Sequence, residues 1–594
     1  MCRIFGSFAV GASAPELAAV SARQRHGGPD QRGALRGPGW SLGCDRLAVT
    51  DPAGGAQPYR DARLPGILAV FNGELYHHAA LRRRLAARGH RFPDACDGSL
   101  IPALYAEYGP DFAAHLDGMF AIAVLDLRAR PQLVLAVDES GMKPLHHHRS
   151  PDGAIRFASE LPALLAFDGV PATIRDDALD TVLATRTPLG PRTALAGIDV
   201  LPPGTTAVVR AGAAPRLHRR EPRATAAPGT TLDVLRHEVR QLARTDRPLC
   251  AVTSGGLDSG LVTALAAEAV REAGRGPLHT FHLAYRGRWP AAEDGYARAV
   301  ARRARTVHHH IAVDPDEFGS LLTRTVRHLG QPNADPIGLS TYALFRAVRE
   351  AGFTVALTGD GADELFGGYD RIRAALAAPP AADWITPYTE ALAAAPRALR
   401  DRLYTPAYRA RLAETGTATD RIAEALRAAG PDRLTALTRF ETRTRLPAYH
   451  LRRVDHLSMA WAVEARLPFC QPAVAAHARS LPAAARTGKR ALYAAGRDLL
   501  PPAVLHRPKQ PFTLPVAAML TPGGPLLGTV RDLLSPARLR RDGRLRPDRV
   551  QELMTRQLAR PTEPTALALW ALAVHELWTE VVRGMRTPAA ARAA

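Results

Sequence analysis

Lysine is almost missing from this 594-residue chain: of its 77 basic residues only three are lysine, Lys143, Lys489 and Lys509. Asparagine is scarcer still, at Asn72 and Asn333 alone. Scarce Lys and Asn beside abundant Ala, Arg, Gly and Pro is the mark of G/C-biased coding, in which arginine has taken most surface lysine positions. The net charge of +20 and pI near 10.5 are therefore weak grounds for a nucleic-acid partner, and no aromatic-basic platform for RNA is visible. The same bias makes each surviving Lys or Asn a marker of a position whose chemistry needs that side chain. Cys2, Cys44, Cys96, Cys250 and Cys470 include no Cys-x-x-Cys pair, which excludes a zinc ribbon or a disulfide scaffold and predicts reduced thiols. No apolar run reads as long enough to span a membrane, and the N-terminus lacks a signal peptide's apolar core, so a cytoplasmic protein without a membrane partner is expected. With 46% hydrophobic and 23% charged residues the composition is that of a globular protein, and the length calls for more than one domain; two are read here.

The most informative stretch is Ser254-Gly255-Gly256-Leu257-Asp258-Ser259, set between the apolar run Leu249–Val252 and a helical pattern from Leu261. A strand feeding small residues and then a helix N-terminus leaves backbone N–H groups free to cradle a phosphate. Asp258 would repel that phosphate unless a cation lay between them, so a Mg²⁺-nucleotide site is the inference. Farther on, the apolar run Phe353–Leu357 enters Thr358-Gly359-Asp360-Gly361-Ala362-Asp363-Glu364, whose three carboxylates repel one another unless they share a cation. Strands here alternate with helices, which predicts a parallel sheet with ligands at the carboxyl ends of its strands.

The other end of the chain carries a second chemistry. Removal of Met1 would leave a thiol beside a free α-amine whose pKa is about 7.7–8.0, so Cys2 could supply nucleophile and base together. A strand at Leu68–Phe71 then runs into Asn72-Gly73-Glu74, a pattern that a simple turn would also satisfy.

Cys2, the Arg46 strand, Asn72-Gly73-Glu74 and Asp97, together with the two glycine-rich loops above, resemble the glutamine-hydrolysing asparagine synthetase family, whose first domain is a class II glutamine amidotransferase. The likeness covers roughly residues 2 to 525, with the motifs in the same order. It implies an α+β N-terminal-nucleophile hydrolase domain (an α/β/β/α sandwich) over 2–210, a linker over 211–230, and a helix-rich α/β ATP pyrophosphatase domain with a parallel sheet over 231–594. Carried over residue by residue, Cys2 attacks the glutamine amide, while Asn72 and Gly73 form the oxyanion hole. Arg46 takes the glutamine carboxylate, and Glu74 and Asp97 hold its ammonium. Ser254, Gly255, Gly256, Asp258, Ser259, Thr358, Gly359 and Asp360 bind ATP; Asp258 and Asp363 hold Mg²⁺, and Asp360 acts near the phosphates. Rarity points to Lys509 as the catalytic cation; Lys143 falls in a block similar to the family and reads as a domain-contact or structural lysine. The implied reaction joins ammonia from glutamine to a carboxylate activated as an acyl-adenylate, aspartate by default, and a homodimer is compatible with it. Two alternatives stay open: a relative that closes a lactam or cyclises a peptide with an internal amine, and an RNA-thiolating protein sharing the pyrophosphatase loop. The chain departs from the family pattern at Gly27, where arginine is usual, at Gly98-Ser99, at Gly260 and at Cys470-Gln471.

Overall fold

The computed structural model describes residues 1–221, 228–287, 289, 293–507 and 513–585. Its first half is built from two antiparallel sheets. The first has strand order β10-β8-β9-β1-β3-β2, with β1 at Cys2–Phe8, β2 at Gln31–Gly37, β3 at Trp40–Arg46, β8 at His146–Arg149, β9 at Ile155–Ala158 and β10 at Ile198–Val200. The second runs β12-β11-β7-β6-β5-β4, with β4 at Tyr59–Arg60, β5 at Ile67–Leu75, β6 at Gly118–Asp126, β7 at Gln132–Val137, β11 at Thr205–Arg210 and β12 at Arg216–Arg219. Strand alternation sorts the side chains. Cys2, Ile4 and Phe8 pack with Leu42 and Cys44 against Val70, Ala121 and Leu135 of the facing sheet. Phe5 points the other way, onto Leu17 and Val20 of α1 (Ala14–Gln24). Outside the second sheet, Phe71, Ile122 and Val134 meet Ile101 and Leu104 of α2 (Ile101–Tyr108). The result is an α/β/β/α sandwich.

The second half holds a five-stranded, wholly parallel sheet of order β15-β14-β13-β16-β17. Its strands are β13 (Leu249–Val252), β14 (His279–Tyr285), β15 (Val307–Val313), β16 (Val355–Leu357) and β17 (Glu464–Arg466). β13 and β16 are the apolar runs that the sequence marks. β17 is not one of them: two of its three residues are charged, and they are buried because they pair with each other, Arg466 Nε lying 2.6 Å from Glu464 Oε1. Helices α3 (Leu257–Glu272), α4 (Ile337–Glu350), α5 (Arg452–Met459) and α6 (Glu563–Met585) are among those that surround the sheet.

Two expectations are corrected. The stretch 211–230 is not wholly a linker, since Arg216–Arg219 pairs with β11 and extends the second sheet. And α6 is, by length and composition, apolar enough to cross a membrane. Its apolar surface is spent inside the protein: Leu569, Trp570 and Trp578 are buried in the largest core cluster, and Trp578 Nε1 donates to Gly330 O at 3.0 Å.

The halves are locked by buried charge. Asp455 on α5 receives Arg3 of β1 (Nη1, 2.7 Å) and Lys143 (Nζ, 2.8 Å), both fully buried. Lys143 is thus a domain contact, one of the two roles its place in the sequence suggests. Burial alone would raise the Asp455 carboxyl, but Arg3 and Lys143 outweigh it and hold it well below the usual range. Glu160 is likewise held at about 2 by His26 and Arg3 against the effect of burial.

Both folded values lie below the unfolded ones, so this stabilisation is complete above about pH 4.5 and is lost as the pH falls toward 2. Asp455→Asn would strand two buried cations and should cost about 3–5 kcal/mol. Denaturant unfolding of the variant at neutral pH checks this; a loss below about 1 kcal/mol would show that the interface does not depend on this carboxylate.

Candidate functional site

At the amino end the register sets Cys2 directly opposite Arg46. The Cys2 N–H donates to Asn72 Oδ1 (3.1 Å), and Gln57 Nε2 donates to Cys2 Sγ (3.2 Å). Gln57 is itself fixed by giving Nε2 to Phe71 O (3.0 Å) and accepting from Phe71 N (2.7 Å). Asn72 is fully buried, and its Nδ2 has no hydrogen-bond partner among the described residues, so one of its two carboxamide ends is held by the Cys2 backbone while the other is an open donor. Gly73 admits no side chain, because a Cβ would lie 2.1 Å from Met119 O. Asn72-Gly73 is therefore strand, inside β5, rather than the turn that the sequence allows.

Arg46 spends its guanidinium on neutral acceptors, Gln31 Oε1 (2.9 Å) and Asp51 O (2.9 Å), and pairs with no carboxylate among the described residues. Asp97 accepts from Leu75 N (2.8 Å) and is raised by burial. Glu74 accepts from Thr50 Oγ1 and lies 3.9 Å from Arg466, and burial together with Asp97 and Glu464 pushes its carboxyl to about 8. The Met1 ammonium completes this acid group at 3.5 Å from Glu464. Burial would raise the Cys2 thiol, but Cys44, the terminal ammonium and Arg46 outweigh it and lower it. The contact with Cys44 was not foreseen; strands β1 and β3 bring together cysteines that are far apart in sequence, and all five are free thiols.

At the other end, Gly256 caps α3 without any side-chain bond, which leaves the first N–H groups of that helix open. Ser254 N and Oγ both meet Ser259 Oγ, at 3.1 and 3.0 Å, and Gly255 has φ +77° with space for no Cβ beside Ala297 N. Gly359 lets the second loop approach until a Cβ would touch Ser259 N at 2.8 Å, so the two loops close on each other. Thr358 Oγ1 donates to Asp360 Oδ2 (2.8 Å), and Arg453 of α5 reaches Asp360 (3.3 Å) and Asp335. Asp335 is oriented by Asn333, whose Oδ1 accepts its N–H at 2.9 Å. Asp258 and Asp363 converge on Lys489 Nζ, at 2.6 and 2.7 Å.

Lys489 is the residue that sequence reasoning passed over. The scarcity that singles out Lys509 applied equally to it, and only the structure sets it between the two carboxylates expected to hold metal. Lys509 lies outside the described residues; the neighbouring Arg507 pairs with Glu293 and donates to Gly255 O (3.3 Å).

Three comparisons bear on this geometry. Residues 230–580 match the asparagine synthase family model and residues 1–219 the glutamine amidotransferase domain model. The chain belongs to the asparagine synthase family. A putative glutamine-hydrolysing asparagine synthetase of Mycobacterium tuberculosis is 32% identical over 88% of this chain and 89% of its own length. Glutamine-hydrolysing asparagine synthetases of Oryza sativa and Arabidopsis thaliana are 30% and 31% identical, each over 59% of this chain and 56% and 57% of their own. A glutamine phosphoribosylpyrophosphate amidotransferase from B. subtilis, at 15% identity over 60% of this chain and 82% of that one, reaches a TM-score of only 0.28 and carries no argument. Membership makes the chain a ligase with its own amidotransferase domain, and one departure from the family pattern gains a physical reason. At Gly27 a Cβ would lie 2.9 Å from Arg3 Nε, so the interface arginine fills the space that a side chain there would need.

The donor set suits Mg²⁺, which takes one or two carboxylates and completes its shell with phosphate and water. Lys489→Met should cost about 2 kcal/mol, less than a fully buried pair because both acids are about a fifth exposed. Millimolar Mg²⁺ should then raise the melting temperature of the variant more than that of the wild type, by replacing the lost counter-charge. Equal Mg²⁺ responses in thermal unfolding would mean that Asp258 and Asp363 do not hold the metal.

Proposed function

We propose that this family member hydrolyses glutamine at Cys2 and delivers the ammonia to a carboxylate activated by ATP in the second half, aspartate being the default acceptor. The observation that carries the reading is that one helix touches both ends. On α5, Arg453 reaches Asp360 and Asp335 beside the phosphate cradle, and Asp455, two residues on, grips Arg3, the neighbour of Cys2. A protein with two unrelated activities would have no need of that connection.

In the first half-reaction the thiol, lowered by Cys44 and by its cationic neighbours, attacks the glutamine amide carbonyl; the developing oxyanion takes the Asn72 Nδ2 donor, and the C–N bond then breaks to release ammonia, which carries off the thiol's proton. Arg46, unpaired with any carboxylate among the described residues, holds the substrate carboxylate, and Glu74 and Asp97 receive its ammonium once Met1 is removed and its charge leaves the acid group. In the second, Ser254, Gly256, Ser259 and the open turn of α3 receive the phosphates of ATP, with Gly255 and Gly359 giving the backbone close access. Asp258 and Asp363 would hold Mg²⁺, which when bound neutralises the pyrophosphate leaving group. Thr358 and Arg453 orient Asp360 toward the same cradle. Lys509 remains a proposed catalytic cation on its rarity and its place beside Arg507. A cytoplasmic location is part of the same reading.

Cys2→Ala should abolish glutamine-dependent amide formation and leave synthesis from added ammonia within about threefold, because the chemistry is divided between the halves. A carboxylate screen by ATP–pyrophosphate exchange identifies the acceptor. No exchange with any carboxylate would refute acyl-adenylate formation, and loss of the ammonia-dependent reaction in Cys2→Ala would refute the division of labour.

A further inference from the structure

Between the halves lies a cavity of about 420 Å³ that none of the catalytic assignments uses. One wall is Lys143 and the Leu201–Pro203 turn of the first half, and the other is the helical stretch Glu441–Leu451 with its flanks. That stretch winds as a π-helix with Pro447 inside it. Its wider turn brings residues four or five apart onto one face, and Arg439, Arg443, Ala448 and Arg452 all line the cavity. Arg219 adds a fourth guanidinium from β12, and the lining among the described residues includes no aspartate or glutamate. Lys143 is already committed to Asp455, so the arginines set the cavity's charge.

Arg452 is the decisive residue. It is only 5% exposed, its Nε and Nη1 have no hydrogen-bond partner, and no ion pair neutralises it among the described residues. Its neighbour Arg453 turns away to Asp335 and Asp360. Burial alone pushes Arg452 down to about 10. Arg443 is lowered first by burial and then by Arg219 and Arg439, with Glu221 opposing them. A buried, uncompensated guanidinium is costly to the fold, and native proteins rarely leave such a group without a partner. Guanidinium forks match planar or tetrahedral oxyanions through paired N–H donors, and several converging forks suit a multivalent one.

We propose that this cavity binds a small multivalent oxyanion, a phosphate or a polycarboxylate, through Arg452 and Arg443, at a site separate from the glutamine and nucleotide ends. The site is built from both halves, and its deepest residue adjoins the arginine that reaches Asp360, so an occupant would bear on the helix that spans the two catalytic ends.

The test uses the full chain, with inorganic phosphate and citrate as separate probes at constant ionic strength set by chloride. Calorimetric titration should show saturable binding of at least one probe to the wild type, with affinity at least tenfold lower in both Arg452→Met and Arg443→Gln. Without anion, Arg452→Met should be no less stable than the wild type. Binding of phosphate alone would assign the site to phosphate ligands and binding of citrate alone to carboxylates. If Arg452→Met fails to fold, the partly exposed Arg443→Gln carries the comparison. Wild-type affinity in the variants would place the anion elsewhere, in the phosphate cradle for instance, and overturn the proposal, as would the absence of saturable binding of either probe.

Discussion

The structure depends on one buried carboxylate taking two cations from across the domain boundary. Asp455 receives Arg3 and Lys143 with all three side chains out of water. In the interior an ion pair offsets its desolvation only when its geometry is good, and it is expensive to break once formed. Its importance for function comes from strand alternation. Cys2 and Arg3 are consecutive on β1 and point to opposite faces, so a contact that fixes Arg3 against α5 fixes the plane of the strand from which Cys2 faces the second sheet. Cys2 is thus positioned from the second domain through its neighbour Arg3.

A second group of buried charges lies close to the Cys2 pocket. Arg466 contacts Glu464, and through Glu74 it reaches the side of the pocket assigned to the substrate ammonium. The terminal ammonium of Met1 satisfies Glu464 here. Loss of Met1 moves that positive charge onto Cys2, and the acid group of Glu74, Asp97 and Glu464 is then short of a cation. A substrate bearing its own ammonium supplies one. The Glu74 carboxyl is raised even with the Met1 ammonium in place, since burial, Asp97 and Glu464 make its ionised form costly until a further cation arrives.

Much of this was legible in the sequence because it rests on local rules. Apolar runs ending in glycine-rich loops mark two of the five parallel strands, β13 and β16, and the scarcity of asparagine points to Asn72, which accepts from Cys2 N, and to Asn333, which accepts from Asp335 N. What was not legible depends on contacts between distant segments. β17 carries charge where a strand signal needs apolar residues, and its burial makes sense only once Glu464 meets Arg466. The π-helical turn has no periodicity of its own to read. Cys2 and Cys44 become neighbours only through the register of β1 with β3. Lys489 shared the rarity of Lys509, but nothing local to it says that Asp258, 231 residues away, would be its partner.

The backbone at Lys489 shows what that partnership costs. Lys489 has φ +61° and follows Gly488 at φ +68°, two successive residues in the left-handed region. For a residue with a side chain this costs roughly 1–2 kcal/mol, and it is maintained only where the surroundings over-determine the conformation. The surroundings here are Asp258 and Asp363, one from each glycine-rich loop, which raise the lysine's proton affinity against the effect of burial. Without a cation between them the two carboxylates would drive the loops apart, and Gly359 could not close on Ser259 as it does. The chain therefore carries its own counter-ion at the junction of the loops, which holds the two glycine-rich loops in their closed shape. A metal arriving with the phosphates would then meet carboxylates already brought together, so that the energy of assembling the site has been supplied by folding rather than drawn from binding.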